Sequence, residues 1–268
     1  MSAASPALAS APHRPRARHT LELILFKAFA ELRAESSRTY AGYLWWVLEP
    51  LFTLAVYALV FGAFLQRGGP DYVPFLAVGI VVFRWFSVSV GRAADSIWQH
   101  RGLIERVHVP KLVFPSAAVL ADAAKVAFLF AVLAVFLAAW GHAPNAAWLA
   151  LPGLFAAMFL FVLGLAFVFA ALVPFVPDLQ LLLANAFRLL AFASGIFFSI
   201  SEVPPEYRFL VAWNPLAVLI DAFRAVLLHA EPPAPQPLLW IAALSLACLL
   251  AGAALMRRFD RVYPKLGR

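Results

Sequence analysis

Six stretches of this chain, at about residues 43–65, 73–91, 112–140, 148–173, 179–200 and 237–256, are apolar and long enough to cross roughly 30 Å of hydrocarbon as helices. No other feature limits the fold so tightly. A segment in lipid must satisfy its own backbone hydrogen bonds, and a helix does so internally. Composition agrees: of 268 residues, 64% are hydrophobic and 13% charged, against about 45–50% apolar and about 25% charged in an average globular domain. Mean hydropathy is +0.85. The chain reads as an all-α integral membrane protein with six transmembrane helices in one domain, residues 21–256.

The flanks differ from that domain. Residues 1–20 carry prolines and arginines without an apolar core and read as a disordered basic arm, and residues 257–268 read as a basic tail. Between them, Leu21, Ile24, Leu25, Ala28, Phe29 and Leu32 recur at helical spacing while Glu22, Lys27, Glu31, Arg33 and Glu35 point elsewhere. Residues 21–40 are therefore expected to form an amphipathic helix, lying in the headgroup region or packing on the protein's own loops. After the fifth apolar run, residues 201–236 are broken by Pro204, Pro205, Pro215, Asp221 and Arg224. Two short helices meeting near Asn214 and Pro215 fit better than a crossing, as a re-entrant segment between helices five and six.

Lysine and arginine set orientation. Arg14, Arg16, Arg18, Lys27, Arg33 and Arg38 precede the first span, and Arg257, Arg258, Arg261, Lys265 and Arg268 follow the last. Both termini are thus expected in the cytoplasm, which requires an even number of crossings. The net charge of +7 sits where it meets lipid headgroups, not where it would form a nucleic-acid surface.

Several charges fall inside the expected spans. Glu49 lies in the first and Arg84 in the second at similar depth, roughly 10 Å from the cytoplasmic boundary, where neighbouring antiparallel helices bring them within reach. Asp122 and Lys125 form a possible i, i+3 pair on the third, and Arg188 stands near the middle of the fifth. Facing lipid, each costs about 2.5–3.5 kcal/mol, so each faces a partner, the bundle interior or a polar path. Tyr43, Trp45, Trp46, Trp85, Trp98 and Trp213 gather near span ends, where such rings either anchor helices at the interface or turn inward. The loop 94–111 reads as a short helix ending near Val109 and Pro110, with Ile97, Arg101 and Ile104 on one face, either gripped by a partner or resting on headgroups.

Some chemistry is excluded. There is no phosphate-binding G-x-x-x-x-G-K-[ST] motif and no Gly-Lys pair, so this chain does not hydrolyse ATP by itself. Neither H-E-x-x-H nor G-x-S-x-G occurs, and the six histidines are scattered. The single cysteine, Cys248, allows no intrachain disulfide. No catalytic residue, metal site or bound cofactor is expected.

The order of the six spans, the leading amphipathic helix, Gly42-Tyr43-Leu44-Trp45, Glu49-Pro50, and Asn214-Pro215 with Arg224 resembles the permease subunit of type 2 ABC exporters of polysaccharides, particularly capsular polysaccharide exporters of Gram-negative bacteria. The likeness covers about residues 20–260. It implies a homodimer in the bacterial inner membrane, two copies of a separate P-loop ATPase that binds ATP and Mg, and a lipid-linked, anionic glycan passing along the dimer interface. It also implies periplasmic and outer-membrane partners. By the same resemblance Asp95, Ile97, Arg101, Ile104, Glu105 and Arg106 belong to a coupling helix, residues 21–40 to an interface helix, and Pro204 to His229 to re-entrant helices at the exit. Tyr43, Trp45, Trp46, Glu49, Arg84, Lys125 and Arg188 become path residues, the rings offering stacking faces to sugars and the cations offsetting substrate charge. The chain departs from the pattern at Thr39-Tyr40-Ala41, where a small hydroxylated residue is expected nearer Gly42. An O-antigen or teichoic-acid-like polymer is the alternative cargo, and an integral-membrane transferase using Glu49 or Asp122 is the rival from another class.

Overall fold

Among the described residues, the second apolar run folds into the most deeply buried of the long apolar helices, and its neighbours pack around it. The structure, a computed structural model, describes residues 16–37, 42–65, 69–107, 109–260 and 262–263. Among the described residues there is no strand. Helix α1 covers Arg16–Ser37. A turn at Gly42–Leu44 leads into α2, Trp45–Tyr57, which continues as π-helix over Ala58–Phe64. Then come α3, Tyr72–Gln99; α4, Arg101–Arg106; α5, Val113–Trp140; and α6, Leu151–Leu172. The remaining elements are α7, Asp178–Ala193; α8, Pro205–Ala212; α9, Pro215–Leu227; and α10, Pro235–Phe259.

Among the described residues, five helical rods are long and apolar enough to cross a membrane: Trp45–Phe64, α3, α5, the rod Ala146–Leu172 that contains α6, and α10. The fifth expected span, 179–200, differs. Helix α7 has 16 residues, about 24 Å, and stops at Ala193. The reason is local. Gly195 adopts φ +71°, and the backbone carbonyls released there are taken up by side chains from the proline-broken stretch. Asn214 Nδ2 donates to the Ala193 carbonyl at 3.1 Å, and Arg224 donates to those of Gly195 and Ile196. That stretch forms the two short helices its sequence suggests. Helices α8 and α9 meet at 94°, with the Asn214 side chain accepting from the Leu216 and Ala217 N–H groups at the start of α9 and Pro215 at its first position, where no amide is needed.

Helix α1 begins earlier than the amphipathic pattern implies. Residues 16–20, read as the end of a basic arm, are helical, and Arg18 pairs with Glu22 one turn on at 3.3 Å. Residues 38–41, including Thr39-Tyr40-Ala41, lie outside the described residues. The helix packs against α5, burying Ala28 on Ala117 and Ala121 with Leu32 alongside. Leu21, Leu25, Phe26 and Phe29 remain exposed, a strip suited to headgroups.

Helix α3 runs eight residues beyond its expected end at 91, which shortens the loop expected over 94–111. Asp95 and Ile97 belong to this rod and are buried; only Arg101–Arg106 forms a separate helix, after a break at His100. Ile104 packs inward with Ile97, Phe114, Phe167 and Tyr263. Arg101 stays outside, its guanidinium over the Trp98 ring at 4.7 Å. Beneath α4, Lys111 is buried and paired with Asp260 at 3.1 Å, and the Tyr263 hydroxyl donates to the Ala171 carbonyl, so the end of α10 supports the loop.

Candidate functional site

Residues 81, 84, 85, 88, 89 and 92 of α3 recur at steps of three and four, which places them on one stripe of the helix. That stripe, with Asp122 and Lys125 of α5, Glu31 and Glu35 of α1, and Trp45, Trp46 and Glu49 of α2, encloses a cavity of about 550 Å³.

The charges that looked misplaced within apolar runs meet here. Arg84 embraces Glu49 with both guanidinium nitrogens, Nη1 reaching Oε1 at 2.7 Å and Nη2 reaching Oε2. This fork matches a carboxylate in a way lysine does not. Glu49 precedes the buried Pro50, and the Thr53 hydroxyl donates to the Glu49 carbonyl at 3.0 Å. Asp122 and Lys125 do pair, at 2.7 Å, but not alone. Lys125 also holds Glu35 at 2.8 Å, while Arg92 reaches Asp122 at 2.5 Å, Glu31 at 3.1 Å and Glu35 at 3.2 Å. Lys27 extends the chain, 2.8 Å from Glu31 and 2.9 Å from His100 Nε2. The network fastens α1 across α3 and α5.

Burial alone would raise the Glu35 carboxyl, but the Lys125 hydrogen bond and the Lys125 and Arg92 charges outweigh it and hold it below its ordinary value of 4.5. A lowered folded pKa contributes stability above 4.5 that disappears as pH falls through the folded value. Protease protection of α1 is therefore expected to be constant from about pH 7 to 5 and to fall below about pH 4.5. Glu35→Gln should weaken protection at neutral pH and flatten the acid loss.

Other expected site residues lie elsewhere. The Tyr43 side chain is outside the described residues. Arg188 is exposed on α7, away from the cavity. Arg224 reaches the Phe75 carbonyl at the start of α3, about 25 Å from Arg92 along that helix, while Pro204 precedes α8, Asn214 and Pro215 begin α9, and Asp221 lies within α9. Glu31, Glu35 and Arg92, which hold the network, were not singled out from the sequence. Their signals were spacing: Arg92 follows Arg84 by two helical turns, and Glu35 follows Glu31 by one.

A family model described as ABC-2 type transporter matches residues 28–228, from within α1 through α9. The O-antigen export system permease protein RfbA of Myxococcus xanthus is 28% identical over 227 residues, covering 84% of this chain and 87% of the relative. The polysialic acid transport protein KpsM of Escherichia coli is 26% identical over 230 residues, covering 85% and 89%. A Klebsiella pneumoniae O-antigen export permease RfbA is 23% identical over 212 residues, 79% of this chain and 82% of the relative. With the end of the amphipathic helix, the first four apolar rods and the bent helix pair inside the matched region, which covers most of the chain, this chain belongs to the ABC-2 type transporter family.

Proposed function

We propose that the chain is the permease of an ATP-driven exporter that moves a lipid-linked polysaccharide across the bacterial inner membrane, with both termini in the cytoplasm. The observation that carries this reading is the family match over residues 28–228 together with near full-length relatives named for polysaccharide export. Those relatives include an O-antigen permease and a polysialic acid transporter at similar identity, 28% and 26%, so O-antigen stands beside capsule as cargo. Arg84 and Lys125 are each engaged by carboxylates. Their first task is to balance the cavity rather than to neutralise an anionic glycan. The same pairing weighs against the transferase reading, because Glu49 and Asp122 are both committed to cations.

The permease works as two copies with two copies of a P-loop ATPase, which binds ATP and Mg, and hands its glycan to periplasmic and outer-membrane proteins. The ATPase grips the outward surface of α4, where Arg101, Leu103, Glu105 and Arg106 are exposed. The test is co-purification from native membranes. One P-loop ATPase should arrive in equal amount, and Leu103→Glu should lower its recovery about tenfold, as burying an unpaired charge in an interface does. Ile104→Asp is the contrasting variant, since Ile104 is 4% exposed and its loss disturbs folding. Recovery of the chain without any P-loop ATPase would overturn the proposal.

A further inference from the structure

A single residue separates α3 from α4, and its side chain reaches two other helices. The His100 carbonyl accepts from the Leu103 and Ile104 N–H groups, each at 3.0 Å, which starts α4. Its ring packs on that of Phe114 in α5, with centroids 5.1 Å apart. Nδ1 lies 2.7 Å from the Ser96 carbonyl in the last turn of α3, where carbonyls lack helical partners, and Nε2 lies 2.9 Å from Lys27 Nζ on α1. An ammonium can only donate, so Nε2 accepts from Lys27 and the one ring proton sits on Nδ1, donating to Ser96. The imidazole in this arrangement is neutral. Arg92 ties α1 to α3 two turns earlier, through Glu31 and Glu35, whereas the Lys27 bond ties it at the break itself.

We propose that His100 is a positioning residue for export: it fastens α1 to the joint between α3 and α4, and the fastening holds only while its ring is neutral. Histidine is the side chain whose charge ordinarily changes between about pH 5 and 8. A proton added at Nε2 turns that nitrogen from acceptor to donor and sets two cations face to face. Lys27 faces the ring from α1, and Glu31, one turn on, is already engaged by Lys27 and Arg92. On α3 the Asp95 carboxylate accepts from Gln99 at 2.6 Å. On α4 Arg101 is a further cation, held over the Trp98 ring, and α5 offers the uncharged Phe114. The carbonyl end of α3 favours a cation on the ring, so the Lys27 contact is the one that gives way. The Nδ1 bond to Ser96 survives, and the end of α3 stays closed. His100 is half-buried and lines the cavity, which gives a proton its way in. This inference rests on the exporter reading, in which the ATPase pushes on α4. While the Lys27 bond holds, that push moves α1 and the rod together. Once it opens, α4 flexes at His100 and ATP is consumed with less glycan moved.

The test uses inverted membrane vesicles from cells that carry the gene, which keep permease, ATPase and native glycan together. The readout is glycan shielded from periodate, divided by the ATP consumed above that in vesicles without the permease. In the wild type this ratio should fall at least about threefold from about pH 7.5 to 5.5, the range in which a histidine gains its charge. Lys27→Gln keeps a donor for Nε2 without the charge, and its amide oxygen can accept once the ring is protonated, so its ratio should stay high and level. Lys27→Met removes the donor and should be low at every pH, as should His100→Phe, which keeps a ring against Phe114. A contact that only stabilised the fold would not give a high, level profile in one Lys27 variant and a low, level one in the other. The acid loss at Glu35 lies below 4.5, outside this window. Four results would each overturn the assignment: a level wild-type ratio, the wild-type slope in Lys27→Gln, Lys27→Gln as low as Lys27→Met, or a wild-type ratio in Lys27→Met. If ATP still drives glycan into the vesicles at neutral pH, these failures sink the role of His100 alone; no ATP-driven uptake at any pH sinks the export reading itself.

Discussion

Arg224→Met is expected to stop export and to lower the melting temperature by about 10 °C, the scale of a loss of about 3 kcal/mol in a domain of this size. Arg224 is 2% exposed and its hydrogen-bond partners are backbone carbonyls. Nε and Nη2 donate to the Phe75 carbonyl at 3.2 and 3.1 Å, Nη1 to that of Gly195 at 2.6 Å and Nη2 to that of Ile196 at 2.9 Å. Its guanidinium also lies over the Phe75 ring at 3.3 Å. Methionine fills similar space but leaves the Gly195 and Ile196 carbonyls, which lie outside any helix, without their donor, each costing about 1–3 kcal/mol when buried unpaired. Arg224→Lys should recover less than half of the loss, because one compact ammonium cannot span the positions served by a planar fork. Thermal unfolding in detergent and glycan export in complemented cells are the two measurements. A melting temperature within about 2 °C of wild type would show that these contacts contribute little.

Gly252→Leu is expected to separate α6 from α10 at a cost of about 3 kcal/mol or more, with Gly252→Ala losing about 1–3 kcal/mol. A Cβ at Gly252 would stand 2.6 Å from the Phe167 carbonyl carbon and the Val168 nitrogen, and one at Gly164 would stand 2.6 Å from the Ser245 carbonyl oxygen. These obstacles are backbone, which cannot swing aside as a side-chain tip can. Small residues at such crossings let membrane helices touch, and that contact substitutes for the hydrophobic drive that lipid does not supply. The rate of disulfide formation between cysteines placed along α6 and α10 measures the separation. Gly153→Ala is the control, since nothing lies within 4 Å of its added methyl. It should be neutral or slightly stabilising through helix propensity.

The apolar rods were legible because spans are long and repetitive, and Asn214-Pro215 was legible because a cap followed by proline starts a helix with little ambiguity. The end of α7 was not. Its apolar run continues through Ile196, Phe197 and Phe198, and only the distant side chains of Asn214 and Arg224 make it possible for the backbone to leave the helix at Ser194. The Glu49–Arg84 pair could be inferred from matching depth in neighbouring spans. The larger network could not, because Arg92 falls one residue past the expected end of the second span at 91. The polar side of α1 carried no sign of its partners, because Glu31 and Glu35 meet Arg92 and Lys125 from distant parts of the chain. The loop helix shows the same limit. Ile97, Arg101 and Ile104 share spacing, yet the break at His100 sends Ile97 into the core rod and leaves Arg101 outside.

The length of α3 has a mechanical consequence. Its 28 residues make a rod of about 42 Å. At one end it carries the Phe75 carbonyl held by Arg224, and at the other it passes through a single break into α4. A stiff lever of that length turns a tilt of about five degrees into a sideways shift of about 4 Å at the far tip. A push on α4 therefore reaches the Arg224 end of α3 in one piece.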